Sequence, residues 1–561
     1  MSSSHLRRPN FLVIVADDLG FSDSGPYGSE IKTPNLDRLA ASGIRLTDFH
    51  TAPSCSPTRS MLFSGTDNHI AGLGQMAEHM ASFEEEVFKD RPGYEGYLNF
   101  RVAALSEILQ DADYHTMMAG KWHLGMNAKT SPSARGFDRV ATLLPGAGNH
   151  FNFEPQLDQG IKPPAFLASE GFWMEDDRFL DRKTELPDNF YSSNYFTDKL
   201  LTFMHERPQD KPFFAYLAFT APHWPLQAPK AVSDKYKGWY DDGPEALRQR
   251  RLQSLKDLGL IPKDAKPAPM NTPLAKDWAS LSPEERMISS RKMEVYAAMV
   301  EVMDENIGRV IDELESTGEL DNTFIVFMSD NGAEGTLLEA TPMASGTPLM
   351  EMIAKFYDNS LENIGQHDSY VWYGPHWALA ATAPSRAFKG FTTEGGIRCP
   401  CIVRYPVLDR CKDKDLISHE FTTVMDILPT FLDLAHVPHP GNTFRGRDVV
   451  PVRGRSWVPY LTGATSEVYD KSIDVTGWEL FGLRGIRRGN FKAVLIPPPR
   501  GSGKWELYDL SSDPGETVDL SSKEPAIMTQ MLADWDRYFA ETGMFEIEYS
   551  KKKKLPKVTG A

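Results

Sequence analysis

Residues Asn10–Ala16 read Asn-Phe-Leu-Val-Ile-Val-Ala, an uninterrupted apolar run that ends at the acidic pair Asp17-Asp18. A continuous apolar run of this length is typical of a strand that is buried on both faces of a parallel sheet. Two further runs, Pro212–Thr220 and Thr323–Met328, have the same character. The sequence therefore predicts an α/β fold with a large, mainly parallel sheet flanked by helices.

Polar side chains follow two of these strands. Asp17 and Asp18 come directly after the first, and Asp330 and Asn331 follow the run Thr323–Met328. Ligands of open α/β sheets bind at the carboxyl ends of the strands, and a solvated loop is the ordinary alternative for one isolated acidic pair. Four hard oxygen donors without imidazole or thiolate favour Ca²⁺, with Mg²⁺ second, over zinc.

The stretch Pro53–Gly65 reads Pro-Ser-Cys-Ser-Pro-Thr-Arg-Ser-Met-Leu-Phe-Ser-Gly. Pro57 suits the first turn of a helix and Gly65 suits its end, which predicts that Cys55 lies at or just before a helix N-terminus. Free backbone N–H groups and the helix dipole favour an anion there. Cys55 is thus a candidate nucleophile facing a sulfate or phosphate group, the alternative being a buried structural cysteine.

Two lysines and two histidines are candidates for the same site. Lys121 and His123, in the run Gly120–Gly125, project in the same direction if the backbone stays extended. His223 lies between two prolines after the strand Pro212–Thr220, in a restricted loop that suits a positioned general acid. Lys389 precedes another predicted strand. Taken singly, each of these has an ordinary structural reading as a surface lysine or a packed histidine.

Composition excludes several function classes. The 561 residues include 77 acidic and 60 basic side chains, a formal net charge of −17 that argues against nucleic-acid or membrane-surface partners. No apolar stretch reaches transmembrane length, and the short run after Arg7-Arg8 does not read as a secretory leader. Four cysteines, one of them set aside as the nucleophile, do not form a disulfide framework. We therefore expect a cytoplasmic location.

The pattern predicts two domains, residues 1–450 and residues 451–561. The second reads as a smaller α+β domain, an antiparallel meander followed by the helix Pro525–Phe539. Within the first, residues 66–100 show no periodicity and are expected to be irregular, while Asp415–Ala435 is expected to be helical with a break near Pro429.

These pieces together resemble the type I, formylglycine-dependent sulfatases of the alkaline phosphatase superfamily, above all the bacterial cytosolic arylsulfatases. The resemblance covers nearly the whole chain and rests on Cys55-Ser56-Pro57-Thr58-Arg59, on Gly120–Gly125, on Phe327–Gly335 and on Trp505–Leu510. It implies that a separate maturation enzyme oxidises Cys55 to formylglycine, whose hydrate attacks a small sulfate ester.

The resemblance also implies a role for each site residue. Calcium would be bound by the modified Cys55 together with Asp17, Asp18, Asp330 and Asn331. Arg59 and Lys121 would hold the hydrate and the sulfate, and Lys389 would contact the sulfate. His223 would protonate the leaving oxygen, and His123 would take a proton from the hydrate so that sulfate leaves.

Two alternatives remain open from the sequence. Phosphonate monoester and phosphodiester hydrolases that share this scaffold typically carry His after the second-strand Asp, where this chain has Asn331. The amide favours sulfate esters without excluding phosphodiesters. A non-catalytic binding protein is the reading that applies if Cys55 is never modified. The sequence names neither the physiological ester nor the oligomeric state.

Overall fold

The computed structural model describes residues 8–160, 171–270, 272, 275–338, 348–408, 410–412 and 416–553. Within these ranges, eleven strands form one sheet, two form a short ribbon, and four form a separate antiparallel sheet. The strands are β1 Asn10–Ala16, β2 Ile44–His50, β3 His115–Lys121, β4 Arg139–Leu143, β5 Trp173–Glu175, β6 Arg178–Phe179, β7 Phe213–Ala218, β8 Thr323–Ser329, β9 Arg398–Arg404, β10 Leu416–Ser418, β11 Thr422–Thr423, β12 Thr443–Phe444, β13 Arg447–Asp448, β14 Val475–Leu480, β15 Leu483–Arg488, β16 Phe491–Leu495 and β17 Trp505–Asp509.

The order of the large sheet is β10-β2-β9-β8-β1-β7-β3-β4-β5-β6, with β11 also paired to β2. Its centre is parallel, because β1 pairs in parallel with β7 and β8, and β7 pairs in parallel with β3. β9 runs antiparallel to both β8 and β2. The carboxyl ends of β1, β2, β3, β7 and β8 and the amino end of β9 therefore meet at one edge of the sheet.

Helices cover both faces of this sheet. The α-helices in the described ranges are α1 Pro34–Ala41, α2 Cys55–Ser64, α3 Asn68–Ala71, α4 Ala77–Ala81, α5 Leu105–Asp111, α6 Pro155–Asp158, α7 Ser192–Glu206, α8 Lys230–Ser233, α9 Pro244–Asp257, α10 Pro283–Ser316, α11 Pro348–Phe356, α12 Pro375–Ala381, α13 Glu394–Ile397, α14 Ile427–Ala435, α15 Val458–Leu461 and α16 Pro525–Thr542.

β1 shows how the core is divided between the two faces. Leu12 and Ile14 pack with α10 on one face, whereas Val13 and Val15 pack with α2, α5 and α14 on the other. Successive side chains of a strand point to opposite faces, so an uninterrupted apolar run is what a sheet covered on both sides requires. The predicted fold class is confirmed.

The C-terminal sheet is a meander in the order β14-β15-β16-β17, and α16 packs on it through Met531, Trp535 and Tyr538. The meander and the helix were predicted, although the first strand, Val475–Leu480, was not. The division at residue 450 stays a prediction.

Two local predictions were wrong. Residues 66–100, expected to be irregular, contain the short helices α3 and α4 and a 3₁₀ turn at Glu85–Val87, which are too short to show a period. In the stretch 415–435, of which residue 415 lies outside the described residues, the helix is confined to Ile427–Ala435 and is preceded by β10 and β11.

The cysteines agree with the prediction that the chain has no disulfide framework. Cys55, Cys399, Cys401 and Cys411 are all free and buried. No helix among the described residues combines the length and the apolar character needed to cross a membrane.

Candidate active site at the carboxyl edge of the sheet

The acidic residues that follow β1 and β8 lie side by side. The two strands pair in register from Asn10 opposite Thr323 to Ala16 opposite Ser329, so their carboxyl ends coincide. The Asp18 amide donates to Asp330 Oδ1 at 3.2 Å, and Asn331 Nδ2 donates to Asp18 Oδ1 at 2.7 Å. The structure thus brings together the predicted oxygen donors from two segments that lie more than 300 residues apart.

Cys55 is the first residue of α2, and Ser54 precedes it in extended conformation. The helix ends where Gly65 adopts the left-handed conformation at φ 62°, as the sequence predicted. Cys55 Sγ lies 3.8 Å from Asp18 Oδ1, which places the helix N-terminus against the acidic residues. Burial raises the pKa of the Cys55 thiol well above its usual range, so the unmodified residue is not a thiolate.

Arg59 and Lys121 are buried and each is bound to one carboxylate of the cluster. Arg59 Nε and Nη2 lie 3.0 and 2.8 Å from Asp330 Oδ2, and Arg59 Nη1 donates to the Lys121 carbonyl at 2.9 Å. Lys121 Nζ donates to Asp17 Oδ2 at 2.7 Å. Burial raises the pKa of Asp330, but Arg59 and Lys121 outweigh that effect and leave the pKa lowered. Asp330 is therefore ionised.

Lys389 reaches the cluster from the loop before β9. Its Nζ lies 2.9 Å from Asp18 and 3.0 Å from Glu334 Oε2. The loop is held by its backbone, because the Lys389 amide donates to the Ala333 carbonyl and the Gly390 amide donates to the Pro53 carbonyl. That last bond joins the Lys389 loop to the segment that carries the nucleophile.

His223 faces the cluster with one ring nitrogen only. Its Nδ1 lies 2.6 Å from the Trp224 carbonyl, which can only accept, so Nδ1 carries a proton. Nε2 lies 3.4 Å from Asp18 Oδ2. Burial, with Lys389 and Lys121 nearby, lowers the pKa of His223 well below its usual range. The ring nitrogen next to the acidic cluster is therefore unprotonated in the resting chain.

His123 departs from the expected geometry. The backbone is not extended here, since His123 has a φ of 58°, and the argument that Lys121 and His123 project together because they alternate on a strand is wrong. Lys121 Nζ reaches Asp17, whereas His123 Nε2 lies 3.0 Å from Glu78 Oε1. Burial lowers the pKa of His123, Glu78 opposes that effect, and the charges of Lys121 and Arg59 add to the lowering.

The oxygen donors fit a hard divalent cation. Asp17 Oδ1 and Asn331 Oδ1 are both buried and have no hydrogen-bond partner, an arrangement that costs free energy unless a cation compensates. Asp17, Asp18, Cys55 and His223 can all direct a ligand atom to one point. Burial raises the pKa of Asp17, and it raises that of Asp18 to about 7, both of which a bound cation would reverse.

Sequence reasoning missed two acidic side chains of the site. Glu334 pairs with Lys389 and belongs to the run that follows β8, so its position at the strand end was a usable signal. Glu78 pairs with His123 from α4, a five-residue helix without a detectable period, and nothing in the sequence indicated its partner.

Comparisons with known proteins identify the family of this chain. The family model described as Sulfatase matches residues 9–437. The chain belongs to the sulfatase family. A second model, the C-terminal region of N-sulphoglucosamine sulphohydrolase, matches residues 387–534 of this sulfatase. The family match confirms the resemblance to the sulfatases that was inferred from the sequence.

Three relatives illustrate how far the similarity extends. An uncharacterised sulfatase of Schizosaccharomyces pombe is 56% identical over 96% of this chain and 94% of its own length. An arylsulfatase of Klebsiella aerogenes is 37% identical over 80% of this chain and 91% of its own. The solved structure of Ps i-CgsB in complex with k-i-k-neocarrahexaose superposes with a TM-score of 0.65 at 22% identity, covering 98% and 94% of the two chains. The last of these shows the fold alone.

Proposed function

We propose that this sulfatase is an arylsulfatase, which hydrolyses an aryl sulfate to a phenol and sulfate with a nucleophile derived from Cys55. The observation that carries the proposal is the position of Cys55, at the N-terminus of α2 and 3.8 Å from Asp18, among three buried cations. The similarity to the arylsulfatase of Klebsiella aerogenes supports the aryl class.

We assign each site residue the role that the sequence resemblance implied, and the convergence of these residues supports the assignment. Arg59, Lys121 and Lys389 hold the sulfate group, and together with the amides at the start of α2 they stabilise the charge on it. His223 exchanges a proton with the leaving oxygen through Nε2, because Nδ1 is bound to the Trp224 carbonyl. His123 takes a proton from the hydrate formed at residue 55.

Two groups outside the amino-acid sequence complete the site. Formylglycine, made from Cys55 by a maturation enzyme, supplies as its hydrate a hydroxyl nucleophile that a buried thiol with a raised pKa does not. Calcium would be held by Asp17, Asp18, Asp330 and Asn331 together with the modified residue 55, and it would supply positive charge that stabilises the transferring group.

The test combines a mass measurement with a rate. Trypsin releases residues 46–59 as one peptide, because Arg45 and Arg59 flank Cys55 and no Lys or Arg lies between them. We expect the mass of this peptide to be about 18 Da below that of the cysteine form when the maturation enzyme is co-expressed. We expect the same preparation to release sulfate from an aryl sulfate and to lose this activity with a chelator. Cys411→Ala, at another buried free cysteine, is the control that leaves both results unchanged.

Other outcomes overturn the proposal. A modified peptide with no aryl sulfate turnover, but with cleavage of a phosphodiester, assigns the chain to the phosphodiester and phosphonate monoester hydrolases. A peptide that stays unmodified with the maturation enzyme present indicates a non-catalytic binding protein.

The cytoplasmic location remains the prediction made from the cysteine content.

A further inference from the structure

The contact between His123 and Glu78 leaves the two ring nitrogens with different environments. Nε2 lies 3.0 Å from Glu78 Oε1, whereas Nδ1 is buried and has no hydrogen-bond partner. An ionised carboxylate only accepts hydrogen bonds, so Nε2 must carry the proton of this contact. Nδ1 of the neutral ring is then a lone-pair acceptor with no competing donor.

The charges around His123 agree with this tautomer. Burial raises the pKa of Glu78, but its contact with His123, with Lys121 nearby, outweighs that effect and leaves the pKa lowered. Glu78 is therefore a carboxylate. Burial, Lys121 and Arg59 lower the pKa of His123, and Glu78 opposes them. The Glu78 carboxylate is thus the group that stabilises a protonated His123 beside the two cations Lys121 and Arg59.

The backbone of Gly146 packs against the His123 ring. A Cβ atom at Gly146 would lie 2.6 Å from Nε2 and 3.0 Å from Nδ1 of His123, closer than side chains approach one another. The His123 amide also donates to the Leu144 carbonyl at 3.0 Å, which holds the main chain to the same loop. The ring therefore has little room to move, since it packs against the Gly146 backbone and contacts the Glu78 carboxylate through Nε2.

We propose that Glu78 is a positioning residue of the sulfatase reaction, which fixes the Nε2–H tautomer of His123 so that Nδ1 exchanges the proton in the site. The proposal rests on the proposed function for the identity of the reaction, but the tautomer and its cause are properties of the chain itself. Glu78 acts through His123 and touches no reacting atom. When Nδ1 accepts a proton, the carboxylate stabilises the imidazolium that forms.

The activity test uses Glu78→Gln in the modified protein with an aryl sulfate. The amide keeps the size of the side chain but removes its charge, and we expect kcat to fall about 10- to 100-fold. We expect KM to change less than about twofold, because Glu78 does not touch the substrate. Glu85→Gln, an exposed acid in the same segment, is the matched control and leaves both constants unchanged.

A double-mutant cycle separates positioning from general damage. In the His123→Gln background the carboxylate has no ring to orient, so the further change Glu78→Gln should have no effect on kcat. A full additional loss in that background would show that Glu78 supports the fold rather than His123, and would overturn the proposal.

A second measurement needs neither formylglycine nor metal. In the unmodified protein, the ring C–H signals of His123 can be assigned by their loss in His123→Gln and followed by NMR against pH. Removing a carboxylate this close should lower the titration midpoint of His123 by about 1 pH unit or more in Glu78→Gln. An unchanged midpoint contradicts the proposal whatever the activity.

Gly146→Ala tests the same contact if Glu78→Gln fails to fold. Its methyl group must displace the His123 ring from Glu78, and we expect the loss of kcat seen for Glu78→Gln. Gly148→Ala is the control, since its Cβ would meet only the flexible Leu143 side chain, at 3.1 Å.

If wild-type protein fails to cleave aryl sulfates but the His123 midpoint shifts, the proposed function is wrong and the positioning role stands. Wild-type turnover without an effect of Glu78→Gln overturns the positioning role alone.

Discussion

The most informative single atoms of this sulfatase are two buried oxygens without partners, Asp17 Oδ1 and Asn331 Oδ1. Among the other carboxylate oxygens of the cluster, Asp330 Oδ1 accepts from the Asp18 amide, and the rest contact Lys121, Arg59 or Lys389. Native structures rarely leave such atoms unsatisfied, and carboxylate and amide oxygens are ligands that calcium prefers. Asp17 Oδ1 and Asn331 Oδ1 are therefore the two oxygens that are free of hydrogen bonds and open to a divalent ion.

Replacing Asn331 by Ala removes one of these two oxygens. We expect the affinity for calcium to fall at least about tenfold, because a ligand contributes no less than the outer residues that orient it. Isothermal titration of the unmodified protein with CaCl₂ measures the change. Asn442→Ala, at an exposed asparagine, is the matched control. Equal affinities for Asn331→Ala and wild type would mean that the ion binds elsewhere.

At the residue scale, the sequence predicted the identity of the site better than its contacts. Asp17, Asp18, Cys55 and His223 each follow a recognisable strand or begin a helix, and the structure brings all four together. The pairing of His123 with Glu78 was not predictable, because it joins a residue in a left-handed conformation to one on a five-residue helix. Neither feature leaves a periodic signal.

At the scale of elements, the C-terminal sheet is joined to the sulfatase core by buried charges. His69 Nδ1 lies 2.8 Å from Asp67, and its Nε2 lies 3.0 Å from Glu479 on β14. Lys492 on β16 lies 2.7 Å from Glu394 at the start of α13 and 3.0 Å from Glu516. The loop with Lys389 leads into α13, so the C-terminal sheet supports one wall of the site.

The His69 contact predicts a loss of stability at alkaline pH. Burial lowers the pKa of His69, but Asp67 and Glu479 outweigh it and raise the pKa to about 9, against about 6.5 in the unfolded chain. A raised pKa contributes stability that is full below pH 6.5 and is lost as the pH rises through 9. The contribution is about 3 kcal/mol at most. Urea unfolding at pH 7 and pH 10 should show this loss in wild type and not in His69→Gln; an equal decline in both contradicts the assignment.

Lys492→Met tests the second contact. The substitution leaves Glu394 and Glu516 buried without their shared cation, and we expect the free energy of unfolding to fall by about 3–5 kcal/mol. Urea unfolding at pH 7 measures it. Lys504→Met, at an exposed lysine that precedes β17, should change stability by less than about 0.5 kcal/mol. Adding Glu516→Gln to Lys492→Met should restore part of the loss, and no restoration would contradict the charge argument.

A second group of residues, which includes Glu394, shows why residue types alone do not define a metal site. Asp48, His50 and Glu394 also converge within reach of one ion. Arg487 lies 2.7 Å from Asp48 and Lys492 lies 2.7 Å from Glu394, so the charges are already balanced. The sequence predicted the buried strands and the C-terminal helix because their patterns are regular. It did not predict β14 or these ion pairs, which depend on contacts between distant segments.

At the scale of the whole molecule, net charge and local charge act in opposite directions on an anionic substrate. The chain carries a formal charge of −17, whereas Arg59, Lys121 and Lys389 surround the nucleophile. A buried cation acts over a short range, while the net charge acts over the Debye length. Association of an aryl sulfate should therefore be slowed by repulsion before the substrate reaches the site.

Salt should relieve that repulsion. Raising NaCl from about 10 to about 100 mM shortens the Debye length from about 30 to about 10 Å. With calcium kept saturating, we expect kcat/KM for an aryl sulfate to rise about two- to threefold while kcat stays constant, because only encounter is affected. Sucrose at equal osmolarity is the control and should change neither constant. A fall in kcat/KM with salt would contradict this prediction. It would mean that the electrostatic potential of the site cations extends into solvent and attracts the substrate despite the net charge of the chain.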